Sequence, residues 1–303
     1  MHWMQKIAAA FAAALAAGFL PAGAAAQEGR GDVVYVPTPQ IVVDEMLRLA
    51  KIGPQDFLID LGSGDGRIVI TAAKKFGAQG FGVDLDSYLL GQARAGAQKE
   101  GVSERARFVE QNLFETDLSK ATVVSSYLLP EMNLKLRPKI LALKPGTRVV
   151  AHDYHMGEWL PDQQADITVP EKVVGTPGVS YIYLWIVPSK LAGKWQTQVN
   201  AGGQPAQYEL AFDQSFQILE GTLRAGGAST RVFGRVNGDQ VTFATLPKGS
   251  PGGLRHEFSG RVVGDTIEGT VRLGEGAAAR QAPFTAKLTA RGELRRASDE
   301  RGD

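Results

Sequence analysis

The residues best suited to do chemistry lie in one short stretch. Leu58-Ile59-Asp60-Leu61 reads as a buried strand, runs into Gly62-Ser63-Gly64-Asp65-Gly66, and continues into helix-like residues from Ile68. A glycine-rich turn between a strand and a helix lets a ligand approach the backbone and faces it with helix N–H groups. The spacing is G-x-G-x-G, whereas a dinucleotide turn built around a pyrophosphate is G-x-G-x-x-G, and Arg67 stands where that motif has its third glycine. Asp60, two residues before the first glycine, is a poor neighbour for a pyrophosphate.

An acid at that position suits a ligand with no phosphate and a cationic amino-acid end. S-adenosyl-L-methionine is such a ligand, with ammonium, carboxylate and sulfonium at one end and adenosine at the other. A second acid is then expected at the end of the next strand, about 20 residues on, to accept from the ribose hydroxyls. Gly82-Val83-Asp84 supplies it, with Asp86 as a rival expected to face solvent. The competing readings are a nicotinamide-dependent oxidoreductase, which the glycine spacing and Asp60 oppose, and a plain strand–helix turn with a capping Asp.

This segment resembles the class I, seven-stranded S-adenosylmethionine-dependent methyltransferases. Tyr35-Val36-Pro37-Thr38-Pro39, the helix after it and residues 59–70 are similar more narrowly to a lysine methyltransferase group that includes the ATP synthase c-subunit enzymes. The resemblance spans roughly residues 33–160 and implies cofactor contacts at Asp60, Gly62, Gly64, Gly66 and Asp84. It implies that Tyr35 and Thr38 close over the cofactor. It also places Asn112 where the family usually has an Asp that accepts from the adenine amino group; an Asn can accept through its amide oxygen. The implied activity is methylation of a protein side chain such as lysine, with a protein or peptide as partner.

Methyl transfer from a sulfonium asks the protein mainly to position the nucleophile and exclude water. A lysine arriving protonated must also lose a proton. Two loops beyond strand ends carry candidates. In Tyr127-Leu128-Leu129-Pro130-Glu131, Tyr127 is a candidate for the lysine channel and Glu131 for attracting a cationic substrate. The alternative for Pro130-Glu131 is an ordinary helix start, since Pro suits the first turn and Glu its dipole. In His152-Asp153-Tyr154-His155, Asp153 or His152 is placed to manage a proton or hold the amine, against the reading of satisfied polar residues at a strand end. His-x-x-His lacks a convincing third ligand, so no metal is assigned.

The elements that must position these residues alternate. Helical spacing at residues 42–51, 68–76, 88–100 and 132–143 is interleaved with strand-like runs at 57–61, 80–83, 106–109, 121–128, 147–151 and 179–187. Such alternation predicts an α/β domain over 32–190 with a parallel sheet covered on both faces. From 191 to 291 eight short alternating segments with Asn237-Gly238-Asp239 and Gly264-Asp265 turn signals predict a small antiparallel β-barrel or sandwich. Gly193-Lys194-Trp195 matches the G-x-W of lipocalin-like barrels; Phe212, Phe216, Phe233, Phe243, Phe258 and Phe284 are expected in its core, and Arg255 and His256 on a solvated face.

The ends and the composition set the frame. Lys6, an apolar run over 7–20 and Ala24-Ala25-Ala26 follow the order of a signal peptide, predicting cleavage after residue 26 and a periplasmic or secreted protein, with an uncleaved membrane anchor as alternative. Residues 292–303 are expected to be a disordered tail. The absence of cysteine among 303 residues excludes zinc fingers, iron–sulfur clusters and a thiol nucleophile. Balanced charge, 33 basic against 32 acidic residues, argues against a dedicated nucleic-acid partner. Export sits awkwardly with a cytosolic cofactor, so an exported, non-catalytic binding protein with a degenerate methyltransferase domain is the second reading.

Overall fold

The computed structural model describes residues 34–200, 205–246 and 248–293. The predicted signal peptide over 1–26 and most of the predicted tail over 292–303 lie outside the described residues. Among the described residues, no helix is long and apolar enough to cross a membrane.

The first half is a seven-stranded sheet. Helix α1 (Gln40–Leu49) follows Pro39 and buries Val42, Val43, Met46 and Leu47, the i, i+1, i+4, i+5 stripe of one helix face. Strand β1 (Phe57–Leu61) is buried along almost its whole length and leads through the glycine turn to α2 (Arg67–Phe76). Then come β2 (Gln79–Asp84), α3 (Ser87–Lys99), β3 (Ala106–Glu110), β4 (Val123–Ser126), α4 (Pro130–Ile140), β5 (Arg148–His152), β6 (Gln163–Thr168) and β7 (Val179–Ile186). The sheet order is β3-β2-β1-β4-β5-β7-β6. The strand order reverses between β1 and β4, which opens a crevice for a ligand beyond their carboxyl ends.

The expected parallel sheet is mixed at one edge. β7 runs antiparallel to both β5 and β6, because no helix intervenes to carry the chain back across the sheet. β6 was not foreseen: it is an edge strand carrying Gln163, Gln164, Asp166 and Thr168, too polar to show as a buried run. One face of the sheet packs α1, α2 and α3 on Leu58, Val123 and Val150; the other packs Leu136 and Ile140 of α4, with Trp159 and Trp185, on Ile59, Val124 and Val149.

The second half is a closed eight-stranded barrel of β8 (Gly193–Val199), β9 (Ala206–Ser215), β10 (Ile218–Ala225), β11 (Ala228–Asn237), β12 (Gln240–Thr245), β13 (His256–Val263), β14 (Thr266–Leu273) and β15 (Arg280–Arg291). Each strand pairs with its sequence neighbour and β15 closes on β8, so no edge is left unpaired. The interior is aromatic: Phe243 stacks on Phe258 with ring centres 4.5 Å apart, and Phe212 and Phe284 meet them edge-on. Trp195 is buried and donates its indole N–H to Leu191 O at 2.9 Å, so its one polar atom is satisfied.

Three barrel residues depart from expectation. His256 is buried, with its ring nitrogens 3.1 Å from the Tyr208 hydroxyl and 2.8 Å from Leu254 O. Phe233 turns outward and lies under the Arg231 guanidinium, 4.6 Å away. Phe216 leaves the barrel core and stacks on Trp159 of the sheet half, with ring centres 6.0 Å apart. For His256 and Phe233 strand alternation sets the side, and residue type alone does not reveal its phase; Phe216 lies on the turn between β9 and β10.

Trp195→Ala deletes a fully buried indole in a closed barrel with little freedom to collapse. It is expected to destabilise the protein by about 3–5 kcal/mol in chemical denaturation. A loss under about 1 kcal/mol would show that Trp195 is not a core anchor.

Candidate functional site

A cavity of about 320 Å³ opens beyond the carboxyl ends of β1, β2, β3 and β4. Its floor is acidic. Asp60 is 2% exposed at the end of β1 and accepts from Ser125 Oγ at 2.7 Å. That contact follows from the β1–β4 register, which sets Asp60 opposite Ser125. Burial, opposed by the Ser125 hydrogen bond and reinforced by the Asp84 and Asp65 charges, pushes the Asp60 carboxyl up to about 7. Among the described residues no cation pairs with it.

Asp84 ends β2. Its Oδ2 accepts from Gly64 N at 2.9 Å and its Oδ1 from Asp86 N at 3.0 Å. The carboxylate is therefore fixed, and each oxygen keeps a lone pair for a further donor. Asp86, expected to face solvent, also lines the cavity, but its Oδ1 is committed to capping α3, accepting from Tyr88 N and Leu89 N.

The glycine turn carries φ values of 77°, 52° and 78° at Gly62, Gly64 and Gly66. Gly64 needs to be glycine for a second reason, since a Cβ there would lie 2.3 Å from the Tyr35 ring. Gly62 lines the cavity, whereas Gly64 and Gly66 shape the turn without lining it. Ser63 also lines the cavity, and its buried hydroxyl has no hydrogen-bond partner among the described residues.

Tyr35 and Thr38 line the cavity as part of a strap laid over the turn. Arg67 holds the strap down. It pairs with Asp65, with Nη2 to Oδ2 at 2.5 Å, and donates from Nη1 to Thr38 O at 2.8 Å. Burial, reinforced by Asp65, pushes the Tyr35 phenol up to about 12. Thr38 Oγ1 lies 3.2 Å from His152 Nδ1, and His152 Nε2 lies 2.9 Å from Ser180 Oγ. Burial, partly offset by Asp153, pulls His152 down to about 4, so the ring bridges strap and sheet as neutral imidazole.

Asn112 lines the cavity beyond β3. Its Oδ1 accepts from Phe114 N at 3.0 Å, which shapes the local turn and leaves one lone pair on that oxygen. Tyr127 lines the opposite wall beside Leu128 and Met132. Its hydroxyl donates to Asp153 Oδ2 at 3.3 Å, and its ring lies 4.0 Å from that of His152. Burial, with the Asp153 charge, raises the Tyr127 phenol well above its ordinary value.

Asp153 and Glu131 do not line the cavity. Asp153 sits behind Tyr127, paired with the buried Lys172 at 2.6 Å. Glu131 is exposed in the first turn of α4, where it suits the helix dipole. His155 is exposed and accepts from Gly157 N, so the two histidines do not converge. Sequence reading missed Ser63, Ser125 and Lys172, and took Arg67 only as a departure from another motif. Ser125 and Lys172 gave no local signal because their partners lie 65 and 19 residues away.

The site fits S-adenosylmethionine on its own evidence. A buried carboxylate without a cation awaits a positive group, Asp84 offers two lone pairs to a diol, and Ser63 holds an unsatisfied hydroxyl. The ammonium or sulfonium end is the part of S-adenosylmethionine that could pair with Asp60, and the unpaired acid floor favours it.

Residues 60–163 match the family model described as ANTKMT methyltransferase domain. A protein-lysine N-methyltransferase of Saccharolobus islandicus is 47% identical over 133 residues, covering 43% of this chain and 83% of that protein. A lysine N-methyltransferase of Xenopus laevis that acts on the ATP synthase c-subunit is 34% identical over 129 residues, covering 42% of this chain. The match spans 56% of that protein's length. A solved structure described as an RNA methyltransferase from Salinibacter ruber with S-adenosyl-L-homocysteine is 46% identical, covers 52% of this chain and 96% of that one, and has a TM-score of 0.47.

Two outcomes are expected at this site. Gly64→Ala displaces Tyr35 and lowers S-adenosylmethionine affinity by at least about tenfold in calorimetry; unchanged affinity would detach the turn from the cofactor. Asp60→Asn also loses affinity, and its effect on ligand-free stability depends on pH. Because folding raises the Asp60 pKa, its stability contribution is full below the ordinary carboxylate range and is lost as pH rises through about 7. The neutral variant should therefore gain in Tm relative to wild type on going from about pH 5 to about pH 8; a pH-independent difference would contradict the burial argument.

Proposed function

We propose a protein-lysine acceptor on the premise that the chain belongs to the lysine methyltransferase group of the class I S-adenosylmethionine-dependent methyltransferases. The observation that carries the proposal is the pairing of an acidic floor, Asp60 and Asp84, with an apolar and aromatic wall of Tyr127, Leu128, Met132 and Phe114. With Asp60 and Asp84 assigned to the cofactor, the wall is the part of the cavity left for an acceptor side chain. The wall strips water from it, and desolvation disfavours the ammonium form and so favours the neutral amine.

When bound, S-adenosylmethionine supplies a methyl group already activated by sulfonium, so a neutral amine forms one N–C bond as the C–S electron pair stays on sulfur. The residues of this chain do the positioning. Asp60 would hold the cationic end and Asp84 the ribose hydroxyls, and Asn112 would offer an acceptor toward the base. The Tyr35–Thr38 strap, tied by Arg67 and His152, covers the turn and excludes water. Asp153 is committed to Lys172, so the amine proton leaves to solvent rather than to that carboxylate.

Similarity to the Saccharolobus enzyme, which spans 83% of that protein, supports the lysine reading. We also propose export, on the order of charge, apolar run and small residues before Gln27. Mass spectrometry of the native protein should then find Gln27 as the first residue; an intact Met1 contradicts cleavage.

The acceptor is tested with the full chain, methyl-labelled S-adenosylmethionine and a heat-treated protein extract. Methylated lysine in the hydrolysate is the expected product. Label confined to RNA or small molecules would overturn the lysine reading, and cofactor binding without any transfer would favour the non-catalytic binder.

A further inference from the structure

We infer that Lys172, on the turn between β6 and β7, is a positioning residue for methyl transfer: it fixes Asp153 as the hydrogen-bond acceptor of Tyr127, so that Tyr127 meets the acceptor amine only through its oxygen lone pairs. The inference rests on the amine acceptor proposed above.

Lys172 is 8% exposed, an unusual state for a flexible, strongly hydrated side chain. Its ammonium lies 2.7 Å from Asp153 Oδ1 and 2.6 Å from Oδ2, and it also donates to Val179 O. Its backbone is pinned as well: Lys172 N donates to Val169 O, and Gly178 N donates to Lys172 O. The same turn passes tightly over the carboxylate, since a Cβ on Gly175 would lie 2.9 Å from Asp153 Oδ2. Asp153 itself has φ 61°, a left-handed conformation that few residues other than glycine adopt. Its Oδ1 accepts from Tyr181 N at 3.1 Å. A pinned cation, a bent backbone and an amide donor thus converge on one carboxylate that lies behind the cavity wall.

That carboxylate meets the cavity through a single group. The Tyr127 ring is packed between His152 and Tyr154, with ring centres 4.0 Å and 6.1 Å away, so its main freedom is the direction of the hydroxyl proton. With Asp153 held by Lys172, the proton points to Asp153 and the oxygen lone pairs are left for a donor in the cavity. A neutral amine can then donate an N–H to Tyr127 while its own lone pair stays free to attack. Without the cation the buried carboxylate is left uncompensated and takes up a proton instead; it then donates to the Tyr127 oxygen, whose own proton turns toward the cavity, where it would occupy the amine lone pair and mask the nucleophile. Lys172 therefore acts through two intervening groups on the orientation of the reacting nitrogen.

The test uses the full chain, S-adenosylmethionine and a peptide carrying the lysine mapped in the extract. K172M is expected to lower kcat about ten- to hundredfold while the KM for S-adenosylmethionine stays within about twofold, and K172R to recover most of the loss. Y127F, which leaves the Lys172–Asp153 pair intact, should lower kcat to a similar extent. The double variant K172M/Y127F should be no slower than the slower single variant. K172Q supplies the same comparison if K172M does not fold. Wild-type kcat in Y127F, or losses that multiply in the double variant, would overturn the inference. A wild-type chain that labels no lysine would instead sink the acceptor reading, so the two failures are distinct.

Discussion

A carboxylate buried in the middle of the sheet is the constraint around which the sheet half is organised. Asp60 is removed from water, carries one hydrogen bond from Ser125, and has other acids rather than bases for neighbours. Burying a charge without a partner is costly, and proteins ordinarily neutralise it or pair it. Here the acid is drawn up toward neutrality and left facing a cavity. The cost is one that a cationic ligand removes on arrival, which couples ligand binding to stability through the same residue. The surroundings are consistent with that demand. The β1–β4 register supplies Ser125, the β2 end supplies a second acid for hydroxyl groups, and the glycine turn brings backbone close without side chains.

The strap over the turn obeys the same logic at the next level. Three polar ties hold it: Arg67 to Thr38 O, Thr38 Oγ1 to His152, and His152 onward to Ser180. Arg67 occupies the place where a dinucleotide turn has a glycine, and the structure shows why a long cation works here. No pyrophosphate needs close helix–strand packing at that point, so the side chain is free to reach across to the strap while pairing with Asp65. His152 is kept neutral by burial, so it joins strap to sheet without adding charge beside the acid floor. The strap over the turn is therefore held by short polar links rather than by apolar packing alone.

What sequence revealed of this arrangement was local. The G-x-G-x-G turn and the places of Asp60 and Asp84 beside it were legible because each place depends on spacing within one β–α–β unit. The barrel strands were legible because burial alternates along them and Gly-Asp turns separate them. The seven-stranded class came from resemblance rather than from pattern, since β6 is a polar edge strand with no apolar signature. Roles set by register or by long-range packing were not legible. Ser125 meets Asp60 through strand pairing, Lys172 meets Asp153 across a hairpin turn, and His256 enters the barrel because its strand phase points it inward. Asp153 was singled out for the wrong geometry: it stands behind Tyr127 instead of in the cavity. The reading of Glu131 as a helix-start residue matches its exposed place in α4.

The barrel is joined to this chemistry through the face of the sheet that has fewest helices. α1, α2 and α3 all cover one face, and no helix follows β5 to share the other with α4. Trp159 and Trp185 fill that gap, and Trp159 needs a cover of its own. Phe216 provides it from the turn between β9 and β10, stacked within 9° of parallel and held at φ 52°. A bulky residue adopts that conformation only where its surroundings enforce it. Gln214 donates to Phe216 O and Gln217 to Leu160 O, which fixes the turn on both sides. Arg137 of α4 then lies over the Phe216 ring and donates to Met156 O. The helix held in this way also carries Met132 and Lys135, both on the cavity wall. The barrel thus completes the core beneath α4, the helix that carries Met132 and Lys135 of the cavity wall.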